Sequence, residues 1–296
     1  MSDAPEGLIL VDKPAGPTSH DVVARIRRAT GQRRAGHTGT LDPPASGLLV
    51  IALGRATRLI RFLPESPKVY EGTIELGVTT ETDDLAGRVL ARDSGPLPAF
   101  EEVRDAARTL LGKQRQTPPA ISAKKVDGER LYRRARRGEA VEAPAAEIEV
   151  FEFDLLEGAS EGSLPFRASV SKGTYVRALA RDLGALLGCG GALATLRRTA
   201  IGPFDVTSAI SPPTEENEST LSAAAVVPLD RLPLTLPTHR IDVARVARFA
   251  HGGPLPAPET GTGWVRVDGP GGRILGVGEL RDGTLTPRIV LVDPPA

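Results

Sequence analysis

The sequence predicts an α+β fold in which strands outnumber helices. Strand-like apolar runs recur along the first two thirds of the chain, whereas helical spacing is clear in only three stretches there. The elements do not alternate regularly, as they would in a doubly wound parallel sheet. From about residue 238, the sequence pattern changes to short strand-like runs separated by Gly, Pro and Asp. We therefore expect one domain over residues 1–237 and a small β-rich domain over residues 238–296.

The N-terminal quarter of the chain predicts a strand, a helix and a second strand. The run LILVD at residues 8–12 is typical of a strand. Thr18 or Ser19 can cap a following amphipathic helix, which stops at Gly31. The second strand covers residues 48–53, after a loop rich in Gly, Thr and Pro.

The middle of the chain predicts three more strands and two helices. The strands cover residues 69–76, 147–156 and 166–171, where β-branched and aromatic residues are frequent. Apolar spacing predicts an amphipathic helix over residues 100–111 and another over residues 174–187. Each of these helices is followed by a glycine that suits a helix end.

The last quarter predicts a mobile loop and then the small β-rich domain. The polar run SPPTEENEST at residues 211–220 predicts the mobile loop. The segment IDVARVARFAHGG is helix-like, and WVRV, RILGVGEL and RIVLV are typical of short strands.

Composition excludes several classes of protein. The single Cys189 cannot form an internal disulfide, and the four histidines show no paired metal-ligand spacing. The N-terminal residues MSDAPEGLILVDKP lack a signal-peptide pattern, and no apolar run is long enough for a membrane span. We therefore expect a cytoplasmic protein that binds no metal.

Positive charge is clustered although the net charge is zero. Residues 22–41 contain five arginines and no acid, and residues 112–138 contain nine basic residues against two acids. A third cluster comprises Arg55, Arg58 and Arg61. Such asymmetry is typical of a protein that meets a polyanion on one face, which favours RNA or DNA as the partner. The alternative is a set of ordinary solvated helix faces.

Asp42 is a lone carboxylate in the loop GHTGTLDPPASG. No other acid lies between Asp21 and Glu65. Pro43 and Pro44 stiffen the chain after it, and the neighbouring glycines let a ligand backbone approach closely. An ordinary Asx turn would explain the aspartate alone, but the Gly-rich and Arg-flanked setting favours a functional carboxylate.

Common catalytic and nucleotide-binding motifs do not explain this loop. The sequence contains no phosphate-binding G-x-x-x-x-G-K-[ST], no G-x-G-x-x-G after a strand and no G-x-S-x-G. Arg177 is a second unusual residue, because it falls in the first turn of a predicted helix. The helix dipole disfavours a cation there by roughly 0.3–1 kcal/mol. A nearby carboxylate would explain this cation, although surface helices often tolerate one.

Five segments resemble motifs of the TruB family of tRNA pseudouridine synthases, and together they cover roughly residues 10–205. The family's catalytic loop is similar to GHTGTLDPPASGLLVIALGRATRL, and its N-terminal motif is similar to VDKPAGPTSHDVV. Its tyrosine-bearing strand and acidic loop resemble KVYEGTIELGVTTETDDLAG. Its basic insert resembles TPPAISAKKVDGERLYRRARRGE, near residues 112–138. Its late catalytic motif resembles SKGTYVRALARDLGALLGCGGALATLRRTAIGPF.

The resemblance implies the pseudouridine synthase fold, a mixed and mainly antiparallel sheet, and a reaction. The family isomerises uridine 55 in the T loop of tRNA to pseudouridine. By this resemblance Asp42 is the catalytic aspartate, as a nucleophile or as a base. Arg177 pairs with Asp42, holds it ionised and orients it, and Tyr70 stacks on the target base.

The resemblance also implies residues that bind the substrate. Tyr175 and Leu196 line the uracil pocket; the alternative for both is an ordinary core residue, and it is strong for Leu196. His37 occupies the place that the extruded base leaves. The predicted RNA contacts are Lys13, Arg55 and Lys124.

The implied enzyme needs no cofactor, because the isomerisation involves no net redox change. Its partner is the T-arm stem-loop of tRNA, and we expect a monomer without an obligate protein partner. Residues 238–293 bear a weaker resemblance to a PUA RNA-binding domain. Two alternatives remain open: an RNA-binding or tRNA-folding protein with secondary catalysis, and a guide-RNA-dependent relative. The presence of Asp42, Tyr70 and Arg177 favours the stand-alone enzyme.

Overall fold

The computed structural model shows a mixed α+β protein with two main sheets. It describes residues 4–119, 125–126, 129–130, 144–158, 160–213, 225–257 and 261–293. Most of the predicted mobile loop at residues 211–220 and much of the basic insert lie outside the described residues. None of the described helices combines the length and the apolar character needed to cross a lipid bilayer.

Four α-helices and nineteen strands occur within the described residues. The helices are α1 (Ser19–Thr30), α2 (Phe100–Thr109), α3 (Val176–Leu187) and α4 (Val243–Ala250). The strands up to the end of the basic insert are β1 (Gly7–Lys13), β2 (Ala35–His37), β3 (Ser46–Leu53), β4 (Lys68–Leu76), β5 (Val78–Thr80), β6 (Val89–Arg92), β7 (Gly112–Gln116), β8 (Lys125–Val126) and β9 (Glu129–Arg130). The later strands are β10 (Ala146–Leu155), β11 (Ser163–Val170), β12 (Gly191–Ile201), β13 (Phe204–Asp205), β14 (Val226–Pro228), β15 (Thr238–Arg240), β16 (Leu255–Pro256), β17 (Gly263–Asp268), β18 (Ile274–Arg281) and β19 (Thr284–Val290).

The larger sheet has ten strands, in the order β14-β1-β3-β12-β4-β11-β10-β7, with β2 beside β3 and β13 beside β12. Among its described strands, β3 and β12 form the one parallel pair. The other pairs are antiparallel. The predicted mixed and mainly antiparallel sheet is therefore confirmed.

Strand β12 lies at the centre of this sheet, although the sequence did not predict a strand there. Its residues include Gly, Ala and two adjacent arginines, which have low strand propensity. Pairing with both β3 and β4 supplies the order that local propensity does not. The crossing with β3 is close, because a Cβ at Gly47 would lie 2.2 Å from the carbonyl oxygen of Arg198. Gly47 also has a φ of 100°, which favours glycine.

Alternating side chains of β1 and β3 face two separate cores. Ile9 and Val11 pack against α1, together with Leu49 and Ile51 of β3. The intervening Leu10 belongs to a different cluster, which includes the 3₁₀ helix Gly54–Phe62 and residues of the second sheet. This period of two follows from strand geometry and explains the continuous apolar run of β3.

Helices α2 and α3 cover the other half of the large sheet. Val103 of α2 and Leu179 of α3 are buried against strand residues that include Ile74 and Phe166. Full burial of one such side chain stabilises the fold by about 1.5–3 kcal/mol. This packing fixes α3 above the sheet, where its first turn meets the loops that precede β3 and follow β5.

The second sheet contains strands from Thr238 onward, in the order β15-β17-β18-β19-β16. Its own core includes Phe249 of α4, as well as Val267 and Leu285. This part of the chain is β-rich, as predicted.

The 3₁₀ helix contacts the second sheet through the third arginine cluster. Arg61 places its guanidinium 4.4 Å from the centre of the Trp264 ring, and Arg58 donates to the carbonyl of Val290 at 2.7 Å. Arg55 donates to the carbonyl of Leu291. Three residues per turn put these arginines on one side of the helix. These arginines therefore link the two sheets through hydrogen bonds and a ring contact. The sequence did not predict this link.

Candidate active site

Asp42 lies in the loop between β2 and β3, and the start of α1 holds this loop in place. The buried Ser19 hydroxyl donates to the carbonyl of Leu41 at 3.0 Å and accepts the Leu41 N–H at 2.9 Å. The helix itself starts with a capping box between Thr18 and Asp21. The Asp42 side chain keeps 44% of its surface exposed, so a substrate can reach the carboxylate.

Lys13 is a second support of the Asp42 loop. Its side chain is fully buried, and its ammonium donates to the carbonyls of Pro14, Pro17 and Pro43 at 2.8, 2.9 and 3.2 Å. Burial lowers the pKa of Lys13, and the nearby Asp42 carboxylate opposes that shift. All three donors have partners in the described chain, so none is left for an RNA phosphate. In this structure Lys13 therefore supports the loop, and its contact with RNA stays a prediction.

Arg177 contacts Asp42 directly. Its Nη2 lies 3.0 Å from Oδ2 of Asp42, and its side chain is only 7% exposed. Its Nη1 donates to the carbonyl of Thr82 at 2.7 Å and lies 3.6 Å from Oδ2 of Asp84. The two carboxylates offset the unfavourable position of this cation in the first turn of α3. The structure thus brings together the two residues that were most unusual in the sequence.

Asp84 organises the loop that faces Asp42, although sequence analysis did not assign it a specific role. Its Oδ1 accepts the Thr82 hydroxyl at 2.6 Å and the Ala86 N–H at 3.1 Å. The N–H of Leu85 donates to the carbonyl of Leu193 on β12 at 2.9 Å. These bonds fix one wall of the site against the central strand.

A cleft opens beside the Asp42–Arg177 pair. Its lining combines the charged pair with short polar and apolar side chains, namely Pro44, Ala45, Asp84, Leu85, Ala86, Leu193, Ala194, Thr195 and Leu196. Leu196, a predicted pocket residue, therefore lines the same cleft as Asp42. Among the described residues, no group of three or more His, Cys, Asp or Glu is placed to hold a metal ion.

Tyr70, predicted to stack on the target base, and Tyr175, predicted to line the uracil pocket, lie in different settings, and neither is among the residues that line this cleft. Tyr70 on β4 is 7% exposed and belongs to the same core cluster as Leu41 and Ala45, which are close to Asp42 in sequence. Tyr175 is the residue that precedes α3. Its N–H donates to Oε1 of Gln116 at 2.9 Å, and its carbonyl accepts Nε2 of Gln116 at 3.2 Å. The sequence did not single out Gln116, which is almost completely buried.

His37 on β2 is half-buried beside His20. The two rings meet edge to face with their centres 5.9 Å apart. Burial lowers the pKa of His37, and the charges of His20 and Arg198 add to that shift. The ring is therefore neutral at pH 7. Its buried Nδ1 has no hydrogen-bond partner among the described residues, which leaves this atom available to a ligand.

Arg55, another predicted RNA contact, is not brought to Asp42. Arg55 follows β3 at the end opposite to the Asp42 loop, and the strand's length separates the two by roughly 20 Å. There it pairs with Glu6 at 2.6 Å. Lys124 lies outside the described residues.

The geometry suits covalent or general-base chemistry at one carboxylate. Asp42 is exposed toward a cleft, oriented by a buried guanidinium, and carried by a loop with several backbone supports. An aspartate in such a position can attack an electrophilic carbon or remove a proton.

Models of one protein family match the chain in three consecutive stretches. The TruB family pseudouridylate synthase N-terminal domain matches residues 27–176. The tRNA pseudouridylate synthase B C-terminal domain matches residues 177–230, and the C-terminal model of pseudouridine synthase II TruB matches residues 237–291.

Individual proteins are similar over nearly the whole chain. The tRNA pseudouridine synthase B of Thermobifida fusca (strain YX) is 44% identical, with 96% of this chain and 98% of the relative covered. The protein of the same name from Acaryochloris marina (strain MBIC 11017) is 42% identical, with the same coverage. Among solved structures, a chain in the crystal structure of a Cbf5-Nop10-Gar1 complex has a TM-score of 0.71 and 26% identity. That match covers 98% of this chain and 86% of the other.

Proposed function

The chain belongs to the TruB family of pseudouridine synthases, and we propose that it isomerises uridine 55 in the T loop of tRNA to pseudouridine. The observation that carries this proposal is the Asp42–Arg177 pair at the edge of a cleft. A partly exposed carboxylate paired with a buried guanidinium suits the catalytic aspartate of this reaction. The relatives that support tRNA as the substrate carry tRNA in their names and cover almost all of the chain.

The reaction requires four steps on the target nucleotide. The bond between ribose C1′ and uracil N1 breaks, the detached base turns, C5 bonds to C1′, and C5 then loses its proton to solvent while N1 takes one up. Asp42 initiates this sequence either by attack on C1′ or by removal of a ribose proton. In both routes Arg177 holds the carboxylate at the cleft, since a charge-assisted hydrogen bond fixes its direction.

The target uridine leaves its stack before Asp42 can reach the ribose. Extrusion costs a few kcal/mol, which phosphate contacts from the basic clusters offset. We propose that the base enters the cleft beside Leu196 and Tyr175 and stacks on Tyr70. The neutral ring of His37 then occupies the place of the extruded base, because an uncharged imidazole stacks there without burying a charge.

The two parts of the chain divide the work in this proposal. Residues 1–237 form the catalytic domain, and residues 238–296 form a PUA-like domain that holds RNA. The enzyme acts in the cytoplasm as a monomer without a protein partner. The structural neighbour described above was solved in a complex with Nop10 and Gar1, so purified chain tested alone addresses this point.

Mapping of pseudouridine in an unmodified tRNA transcript tests the proposed function. Purified chain without added cofactor or protein should create one carbodiimide-dependent reverse-transcription stop, adjacent to position 55. A transcript with cytidine at position 55 is the matched control and should show no stop. Absence of the stop with folded, RNA-bound protein would reject the enzyme and favour an RNA-binding or tRNA-folding role. A stop at another uridine would reject the proposed position.

A further inference from the structure

Arg198 is a buried cation that the proposed mechanism leaves without a role. Its side chain is among the largest that are fully buried, with 1% of the residue exposed. Among the described residues it forms no ion pair with a carboxylate and donates instead to backbone carbonyls. Burial of an unpaired cation is costly, and such a departure from ordinary packing is expected mainly at functional sites.

The guanidinium of Arg198 binds the catalytic loop to the strand behind it. Nη2 donates to the carbonyl of Gly39 at 3.1 Å, and Nη1 reaches the carbonyl of Thr40 at 3.4 Å. Nε donates to the carbonyl of Leu48 on β3 at 2.8 Å. Since the guanidinium is planar, these three contacts fix the relative positions of the loop and the strand.

Arg198 and Lys13 hold the loop on opposite sides of Asp42. Arg198 binds carbonyls two and three residues before Asp42, and Lys13 binds the carbonyl of Pro43 immediately after it. The backbone of Arg198 cannot shift easily, because it contacts Gly47 where no Cβ would fit. The carboxylate is therefore carried by a segment whose backbone is anchored before and after it.

We propose that Arg198 is a positioning residue for the isomerisation: it holds the carbonyls of Gly39 and Thr40 so that Asp42 remains in contact with Arg177. This inference rests on the proposed function. Arg198 does not touch the substrate, and it acts through the backbone of the loop. A displacement of about 1 Å in a reacting group can lower a rate roughly 100-fold, so loss of this support acts on the chemical step.

The test compares Arg198→Lys and Arg198→Met with the wild type in single-turnover reactions at saturating tRNA. Lysine keeps the charge but cannot bind three carbonyls in one plane, and methionine keeps the length without the charge. We expect Arg198→Met to lose roughly 100-fold in rate and Arg198→Lys to recover part of that loss. The dissociation constant for tRNA should stay within about threefold, because phosphate contacts dominate affinity.

The matched control is Arg197→Lys, on the adjacent position of β12. Arg197 is 41% exposed and forms a bidentate pair with Asp12 at 2.7 and 2.9 Å. We expect this variant to keep the wild-type single-turnover rate. Thermal melting measured in parallel gives the folded fraction of each variant.

Several outcomes would overturn the inference. A folded Arg198→Met with a rate within threefold of the wild type would show that the loop needs no such support. Rate losses in both variants that only follow the loss of folded protein would reduce Arg198 to a structural residue. If Arg198→Met does not fold, a wild-type rate in Arg198→Lys decides against the inference. An inactive wild type would instead reject the proposed function, and this inference with it.

Discussion

Asp42 is surrounded by cations that act on it in two different ways. Arg177 contacts the carboxylate itself, at 3.0 Å. Lys13 and Arg198 bind the backbone on either side of it and never reach the carboxylate oxygens in the described contacts. The backbone of the loop is therefore held in place while the Asp42 carboxylate stays partly exposed.

His37 provides a test of how protonation affects this part of the fold. Burial lowers its pKa in the folded state, so the unfolded chain binds a proton more readily. The stability from neutral His37 is therefore fully present above the ordinary histidine pKa of 6.5 and is lost as the pH falls below that value. We expect the wild type to lose more stability between pH 7 and pH 5 than His37→Gln does. Urea unfolding at several pH values measures this difference, and identical slopes for both proteins would contradict it.

Asp42 and Arg177 could be predicted because each breaks a local rule of sequence. A lone acid in a Gly-rich loop can be recognised from the sequence, without knowledge of its spatial neighbours. The same is true of a cation in the first turn of a helix. No local pattern indicates that Lys13, Gln116 and Arg198 are buried. A polar side chain on a strand normally indicates an exposed position. Their burial is decided by partners that are distant in the chain, such as Pro43 for Lys13 and Tyr175 for Gln116.

The start of α3 depends on β7 for its cap. The side chain of Tyr175 does not cap the helix. Instead, Gln116 of β7 binds both the N–H and the carbonyl of Tyr175. Arg177 follows two residues later, so this contact also sets where its guanidinium meets Asp42. The helix that carries Arg177 is therefore positioned by a neighbouring strand.

Gln116→Leu should destabilise the protein and slow the reaction. The substitution leaves the N–H of Tyr175 without its buried partner, which costs about 1–3 kcal/mol, whereas the Tyr175 carbonyl still accepts the N–H of Leu179 at 3.2 Å. Urea unfolding should show this loss, and tritium or pseudouridine assays of the folded variant should show a slower chemical step. Gln114→Leu on the same strand is the control, since Gln114 is only half-buried and bonds to the Leu110 carbonyl outside the site. An equal loss in both variants would contradict a special role for Gln116.

The strands and helices with strong periodicity were predicted from sequence, and the central strand was not. Helices α1, α2 and α3 lie within a few residues of the predicted stretches, because their apolar faces recur at helical spacing. Strand β12 has no comparable pattern, since it pairs on both sides and carries buried arginine instead of an alternating apolar set. Tertiary context overrides propensity at that position.

One region of the molecular surface carries the positive charge that is expected for binding a polyanionic partner. Exposed Arg27 and Arg28 at the end of α1 adjoin the exposed Arg33 and Arg34, which precede β2. Glu6, the acid beside this group, is paired with Arg55. These four arginines form a basic surface that can bind RNA phosphates without reading sequence.

Removal of two charges from this basic surface should weaken tRNA binding in a salt-dependent way. The variant Arg27→Gln/Arg33→Gln should bind less tightly at low salt, because fewer counterions leave the RNA on binding. The slope of log affinity against log salt should fall by about 1 for each phosphate contact that is lost. Filter binding at a series of salt concentrations measures both quantities.

The matched control is Arg104→Gln/Arg108→Gln, which removes the same charge from α2. Those arginines pair with Glu101 and Asp105 on their own helix, so they have less charge to offer a polyanion. We expect this variant to keep the wild-type salt slope. Equal slopes in all three proteins would exclude the basic surface from the RNA interface.

Release of tritium from C5 of uridine measures whether Asp42 performs the reaction. A T-arm stem-loop with tritium at C5 of its uridines is incubated with wild type and with Asp42→Asn. We predict release by the wild type, and a fall of more than about 1000-fold in the variant, with RNA binding kept within about tenfold. Equal release by both proteins would rule out a catalytic role for Asp42, because the aspartate would then serve only the structure of its loop.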